Sequence, residues 1–245
     1  ILKSVRLVFA DGTVLDTGDD RSRKLFAMNK PQFMEGIMKL RDEICADEEL
    51  KKRILYKYSI KNVTGLNLLP FVTFRDPFDI IAHSIVGSEG TLAFMSEITV
   101  NTAHLYPHSA SAMLYFSDLE EACKAVVAMK KGPVFGAELL DKKSLSAVND
   151  PTGEGLTAVL TETKADTPEE LQKNINEILE ILKPFNLFKP AYFTDKPEEY
   201  SEYWKIRSGI FPSVGGTRPL GSTVLIEDVA FHIEDLPKAT VELQQ

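Results

Sequence analysis

The sequence predicts an α+β protein with two domains. Its composition is that of a globular chain, because 44% of its 245 residues are hydrophobic and 26% are charged. Strand-like alternation of apolar residues interchanges with helix-like spacing along the chain, and the pattern breaks near Pro107. We therefore predict a first domain over residues 1–103 and a second domain over residues 104–245.

The first domain is predicted to open with a β-hairpin. Apolar residues alternate over residues 5–9, Asp11-Gly12 is a strong turn signal, and Val14 resumes the pattern. The other predicted elements of this domain are helices over 31–45 and 47–58, a loop over 61–70, a helix opened by Asp76-Pro77, and a strand over 92–100.

The second domain is predicted to be one sheet with helices on a single face. Its helices have clear start signals, such as Asp118 followed by Glu121, and Thr167 followed by a proline and two acids. Strands are predicted over 110–116, 134–140, 155–163 and 187–193, with helices beginning near residues 118, 141, 167, 197 and 234.

Charge and composition exclude several classes of protein. The formal net charge of −8 and the lack of a dense Lys/Arg cluster disfavour nucleic-acid binding. The two cysteines are far apart and predict reduced thiols, and no apolar run has the length of a membrane span. We expect a cytoplasmic protein. Because the chain opens on Ile1 and stops within a helical pattern, we also expect it to be truncated at both ends.

A glycine-rich turn over residues 86–92 is the most informative local motif. Its glycines allow a close backbone approach to a ligand and can turn N–H groups towards an anion. The alternative is an ordinary turn between a helix and a strand. The GxGxxG and GKS patterns of dinucleotide and phosphate loops are absent, so the turn belongs to neither class.

Several motifs together resemble the vanillyl-alcohol-oxidase-like flavoproteins, in the group of the D-lactate and D-2-hydroxyglutarate dehydrogenases. The similar segments are residues 61–67, 76–81, 86–92, 97–99, 203–207 and 221–230. The resemblance implies the second half of a PCMH-type FAD-binding domain, followed by an antiparallel-sheet α+β cap domain.

The resemblance also implies roles for individual residues. The FAD-binding residues would be Lys61, Asn62, Thr64, Gly87, Ser88, Glu89, Gly90, Thr91 and Ile98. Arg207 would bind the substrate carboxylate, which suits its planar fork of donors. A solvated loop at 61–67 and an ordinary surface arginine at 207 remain as alternatives, and Glu227 and Asp228 either face a pocket or mark a solvated edge.

The implied reaction is oxidation of a D-2-hydroxy acid, with hydride transfer to flavin and electron transfer onward to an acceptor or to an iron–sulfur domain. The phosphate loop and the histidine motif of the family would lie before and after this chain, so the base and any metal ligands would lie outside it. We therefore predict little or no dehydrogenase activity for this chain alone. We predict no metal site here, and we expect His83, His104, His108 and His232 to be structural or surface residues. The alternative function is a non-catalytic interaction or scaffold module that retains the fold.

Overall fold

The computed structural model describes residues 1–62, 65–148, 155–222 and 230–244. This part of the chain divides into two compact units, the first covering Ile1–His104 and the second beginning at Leu105. Among the described residues, no helix combines the length and the apolar character needed to cross a membrane.

The first unit contains three strands and five helices in its described residues. In chain order they are β1 (Leu2–Val8), β2 (Val14–Asp16), α1 (Asp20–Asn29), α2 (Pro31–Ala46), α3 (Glu48–Lys57), α4 (Leu69–Thr73), α5 (Pro77–Ile85) and β3 (Phe94–Val100).

The sheet of the first unit confirms the predicted hairpin. Strand β1 lies between β2 and β3 and is antiparallel to both, with Leu7 opposite Leu15 across the hairpin. Gly12 adopts a φ of 80° in the turn, a conformation that glycine adopts readily. Val5, Leu7 and Leu15 are buried, and they share a core cluster with residues of α1 and α5.

Two helices of the first unit were not predicted. Helix α1 buries only Phe26, so it lacks the repeated apolar spacing that reveals an amphipathic helix. Helix α4 begins at the end of the stretch predicted as a loop, and its residues Pro70 and Phe71 are buried. Phe71 packs in one cluster with Ile44, Ile54 and Ile80, and this tertiary packing stabilises a helix of only five residues.

The second unit contains three strands, five α-helices and one 3₁₀ turn in its described residues. In chain order they are β4 (His108–Phe116), α6 (Leu119–Met129), β5 (Gly136–Leu140), α7 (Lys142–Ala147), β6 (Thr157–Ala165), α8 (Pro168–Leu182), α9 (Pro197–Thr217), the 3₁₀ turn (Ile233–Asp235) and α10 (Leu236–Leu243).

The sheet of the second unit is antiparallel, as predicted, and β6 is its central strand with β4 and β5 on either side. Leu114 and Phe116 project into a cluster with α6 and α8. Met113 and Tyr115 project into a second cluster, which includes Leu145 of α7 and apolar residues of α9. Helices therefore cover both faces of the sheet, and the prediction of helices on a single face is wrong. Residues 110–116 of β4 are all buried, without the alternation expected of a strand covered on one face. Such an uninterrupted run is typical of a strand covered on both faces.

The strand predicted over residues 187–193 is also wrong. This segment lies along the edge of β4 but pairs with it only at two isolated bridges, Phe116 to Leu187 and Ser111 to Thr194. Pro190 stands between the bridges, and proline has no backbone N–H to donate to a ladder. The alternating pattern predicted the position of the segment beside the sheet but not the interruption of its pairing.

Candidate functional site

The glycine-rich turn follows helix α5 and is built around Ser88. The Ser88 N–H donates to the carbonyl of Ile85 at 3.0 Å, which fixes the turn to the last residue of the helix. The Ser88 carbonyl accepts from the Thr91 N–H at 3.0 Å and from the Thr91 hydroxyl at 2.6 Å. Ser88 is only 4% exposed. Ser88 and Thr91 therefore use these groups to hold the turn itself.

The backbone of the turn is left-handed at three of its residues. Gly87, Glu89 and Gly90 have φ values of 84°, 50° and 76°. Glu89 is the one non-glycine residue with positive φ in the described chain, and such a conformation costs about 1–2 kcal/mol for an L-residue. A strained residue of this kind at a turn is a common feature of ligand-binding sites.

The same turn offers backbone donors to a ligand. Within the described residues, the N–H groups of Glu89 and Gly90 donate to no other group. A Cβ added at Gly87 or at Gly90 would meet no atom within 4 Å, so the space beside both glycines is open. Adjacent N–H groups facing open space can bind an anionic or polar ligand.

The loop that carries Lys61 and Asn62 is tied to helix α3. The Tyr58 hydroxyl donates to the Leu66 carbonyl at 2.8 Å and accepts from the Leu68 N–H at 3.0 Å. The Oδ1 atom of Asn62 is buried and has no hydrogen-bond partner among the described residues. Thr64, predicted for the same site, lies outside the described residues.

Ser84, in the last turn of α5, also carries a buried oxygen without a hydrogen-bond partner in the part of the chain that the structure describes. Its Oγ atom is buried and unpartnered within the described chain. A buried acceptor or hydroxyl without a partner is uncommon in folded proteins and calls for an explanation. A bound ligand with hydrogen-bond donors would supply the missing partners of Asn62 and Ser84.

Strand β3 presents apolar residues next to the turn in the sequence. Ile98 is 55% exposed and Phe94 is 68% exposed, and every residue of the strand is exposed. Within the described residues of the first unit, β3 is an outer strand paired only with β1. Exposed apolar residues on one strand can pack against a flat aromatic ring system.

These residues fit an FAD molecule. The free N–H groups of Glu89 and Gly90 suit anionic or carbonyl oxygens, and the orphaned oxygens of Asn62 and Ser84 suit its N–H and hydroxyl donors. The exposed apolar side chains of β3 suit the ring. The individual contacts of the residues predicted to bind FAD remain predictions.

Arg207 lies in the second unit, on helix α9. Its Nη2 atom lies 3.4 Å from Oε1 and 3.5 Å from Oε2 of Glu138 on strand β5. The two side chains are 48% and 41% exposed. These distances exceed the roughly 2.7–2.9 Å of a tight charge-assisted bond, so the ion pair is loose and open to solvent. Arg207 is thus an accessible cation whose guanidinium is not saturated by Glu138.

Helix α9 is fixed to the sheet close to Arg207. Trp204, one turn earlier, donates from Nε1 to the hydroxyl of Ser111 at 3.2 Å. Tyr203 and Ile206 pack against the buried cluster beneath the helix. Burial raises the pKa of the Tyr203 phenol above its ordinary value, with a smaller contribution from the charge of Glu199.

Sequence reasoning missed candidate functional residues in each of the two units. Glu138, Tyr58 and Ser84 were not predicted to take part. The alternation of β5 places Glu138 on the same face as Leu140, but only the fold shows that α9 covers that face. Glu227 and Asp228, which were predicted to face a pocket or a solvated edge, lie outside the described residues.

No group of three or more His, Cys, Asp or Glu side chains in the described parts of the chain is arranged to hold a metal ion. Of the four histidines, His83 donates from Nδ1 to the Asp79 carbonyl at 2.8 Å, and its ring lies against Phe74 with 4.3 Å between ring centroids.

Comparison with known proteins identifies the family. Residues 105–245 match the family described as "FAD linked oxidases, C-terminal domain". Over 164 residues the chain is 31% identical to "D-lactate dehydrogenase [cytochrome], mitochondrial" of Arabidopsis thaliana. This match covers 64% of the chain and 28% of that relative, so the chain spans under a third of the relative's length. The family match alone includes more than half of the chain. The chain therefore belongs to the family of FAD linked oxidases, whose C-terminal domain it carries and whose cofactor is FAD.

Proposed function

We propose that this protein is an FAD-dependent oxidoreductase that oxidises a D-2-hydroxy acid. The observation that carries the proposal is Arg207, a half-exposed cation on a helix that is anchored to its sheet and lies inside the family match. The name of the Arabidopsis thaliana relative, a D-lactate dehydrogenase, supports a hydroxy acid as the substrate class.

In this proposal the first unit supplies part of the FAD site. The N–H groups of Glu89 and Gly90 donate to oxygens of the cofactor, and Ser88 and Thr91 keep the turn in its left-handed conformation. Lys61 and Asn62 contribute polar groups from their loop, and Ile98 contributes apolar surface. Gly87 and Gly90 matter because a side chain there would occupy the open space beside the turn.

The second unit supplies the substrate anchor. The Arg207 guanidinium binds the carboxylate of the hydroxy acid through paired hydrogen bonds, which fixes both the position and the orientation of the α-carbon. When bound, FAD would supply the redox chemistry: it would accept the hydride from the α-carbon, the hydroxyl proton would pass to a base, and the product would be the 2-oxo acid. The packing of helix α9 on the sheet, through Tyr203 and Ile206, keeps the anchor rigid.

We further propose that the electrons leave through a separate redox partner. The name of the relative includes a cytochrome, and an iron–sulfur domain is the other candidate for this role. The identity of the partner is independent of the role of Arg207.

The test begins with cofactor binding. The protein is incubated with excess FAD and desalted, and its visible spectrum is recorded. We expect retained flavin, and its reduction by D-lactate or D-2-hydroxyglutarate is then measured under anaerobic conditions in the full-length enzyme. A colourless protein would contradict the FAD site proposed at the turn.

The substrate anchor is tested with Arg207→Ala. Hydrogen bonds to charged groups contribute about 1.5–3 kcal/mol, so we expect the rate of flavin reduction at low substrate to fall about 10- to 100-fold. Lys205→Ala is the matched control, because Lys205 is a cation of the same helix that pairs with Glu202 on the exposed side. Equal rates in Arg207→Ala and in the wild type would remove Arg207 from the site.

A further inference from the structure

The Arg207–Glu138 ion pair differs from the other ion pairs of helix α9. Lys196–Glu199 and Lys205–Glu202 join residues three apart on the same helix, whereas Arg207–Glu138 joins the helix to strand β5. A pair between two elements depends on the fold, because its geometry is set by the packing of one element on the other.

Glu138 is held in place by the sheet. It is paired with Leu160 of the central strand β6, and Leu140, two residues further along β5, is buried in the cluster beneath α9. Alternation along the strand therefore directs Glu138 to the α9 side of the sheet. Its position is that of a strand residue in a three-stranded ladder.

The neighbouring carboxylate on the same face already has a partner. Glu162 of β6 lies opposite Gly136, which places it diagonal to Glu138. Its Oε2 atom lies 3.1 Å from Nζ of Lys164, and its side chain is 15% exposed. Glu138 is consequently the carboxylate of this face that is left for Arg207.

The contact involves one nitrogen of the guanidinium. Only Nη2 of Arg207 lies within bonding distance of Glu138, at 3.4 and 3.5 Å. Within the described residues, Nε and Nη1 contact no other acceptor. Five N–H donors are available on an arginine, so a carboxylate of a ligand can bind while Glu138 stays in place.

We infer that Glu138 is a positioning residue for Arg207: it restrains the guanidinium through one N–H of Nη2 and leaves the second N–H of Nη2, together with Nε or Nη1, to bind the substrate carboxylate. This inference rests on the proposed function, since it assigns the role of Glu138 through the anchor. Restraining a long side chain before binding reduces the entropy lost when the substrate is bound.

The chain contains a single tryptophan, and its location provides a direct measurement. Trp204 is one helical turn from Arg207, so its fluorescence reports binding at the anchor independently of turnover. The bound flavin is first reduced with dithionite, so that no hydride transfer accompanies binding, and D-lactate is then titrated into the FAD-incubated protein at constant ionic strength. Binding is followed by Trp204 fluorescence and by isothermal titration calorimetry.

Three variants are compared with the wild type. Exposed ion pairs contribute about 0.2–1 kcal/mol, so we expect Glu138→Ala to raise the dissociation constant about threefold. Glu138→Gln keeps an acceptor oxygen for Nη2 and should raise it by less than about twofold. Glu202→Gln removes an exposed carboxylate of the same helix and should leave it unchanged. Circular dichroism establishes that each variant is folded.

The outcomes separate the inference from the proposed function. Equal or tighter binding by Glu138→Ala, while Arg207→Ala is weakened, would overturn the role of Glu138 and leave the anchor intact. Equal binding by Arg207→Ala, or no heat and no fluorescence change in the wild type, would overturn the proposed anchor and the inference with it. A rescue by Glu138→Gln relative to Glu138→Ala supports positioning, because a loss of folding would weaken both variants.

Discussion

The two sheets of this protein differ in how their strands are covered. Every residue of β3 in the first unit is exposed, whereas β6 in the second unit is buried along most of its length. Two phenylalanines illustrate the difference, since Phe94 is 68% exposed and Phe116 is fully buried. The second unit buries both faces of its sheet with its own helices, and the described residues of the first unit leave apolar surface for another molecule.

The difference extends to the groups that each unit offers to ligands. The turn of the first unit presents backbone N–H groups, which depend on left-handed conformations at Gly87, Glu89 and Gly90. The second unit presents the side chain of Arg207 from a helix whose inner face is packed. Substitutions should therefore act through backbone conformation in the first unit and through side-chain packing and charge in the second.

The largest expected effect comes from the pair of phenylalanines. Phe116→Ala removes a buried ring and should lower the free energy of unfolding of the second unit by about 3–5 kcal/mol. Phe94→Ala deletes the same atoms from an exposed position and should change the free energy of unfolding of the first unit by less than about 0.5 kcal/mol. Urea unfolding followed by Trp204 fluorescence measures the second unit, and circular dichroism measures both. A large loss in Phe94→Ala would show that β3 is covered in solution, and the contrast would fail.

The next effect concerns glycine conformation. Gly90→Ala places a Cβ on a residue with a φ of 76° and should destabilise the first unit by about 1–2 kcal/mol, with weaker retention of FAD. Gly36→Ala is the control, since Gly36 lies inside helix α2 with open space around it, and should stabilise by about 0.5–1 kcal/mol. Thermal unfolding followed by circular dichroism compares the two. The two substitutions should shift the unfolding midpoint in opposite directions. An increase in both variants would contradict the left-handed conformation of the turn.

A smaller effect is expected at the start of helix α6 in the second unit. The Asp118 carboxylate accepts from the Glu121 N–H at 2.9 Å, and Asp118→Ala should cost about 1 kcal/mol by the loss of this cap. Asp118→Asn retains an acceptor oxygen and should lie within about 0.5 kcal/mol of the wild type. Urea titration of both variants by Trp204 fluorescence measures the difference. Indistinguishable Ala and Asn variants would show that the side-chain oxygen does not stabilise the helix.

The smallest effect is a pH dependence on the exposed side of α9. Hydrogen bonds from Lys196 and then from Thr194 lower the pKa of Glu199 below its usual range. The stability that the ionised carboxylate contributes is therefore present at neutral pH and is lost as the pH falls from the ordinary value of about 4.5 through this lowered pKa. The difference in unfolding midpoint between the wild type and Glu199→Gln should shrink over that interval. A difference that is constant with pH would show that the carboxylate charge is irrelevant.

Local signals determined many of the helix starts correctly. Asp76, Asp118, Asp141 and Thr167 were predicted to begin helices, and each accepts a hydrogen bond from a backbone N–H of the first turn. Glu121 shows the limit of such signals. Its Oε1 atom accepts from the Asn186 N–H at 2.8 Å instead of closing the predicted capping box with Asp118. A distant partner competes with a local one, and the sequence pattern contains only the local one.

The candidate functional residues also divide into features that local sequence patterns predict and features that only the tertiary structure decides. The sequence by itself determined the glycine-rich turn over residues 86–92. The positive φ values lie within this range, at Gly87, Glu89 and Gly90. It also determined the hairpin and the alternating strands, because these depend on turn chemistry and on a period of two. Tertiary structure alone decided that helices cover both faces of the second sheet, that Pro190 interrupts pairing beside β4, and that Glu138 lies next to Arg207. These features join residues far apart in the chain, and their positions follow from packing that no local pattern encodes.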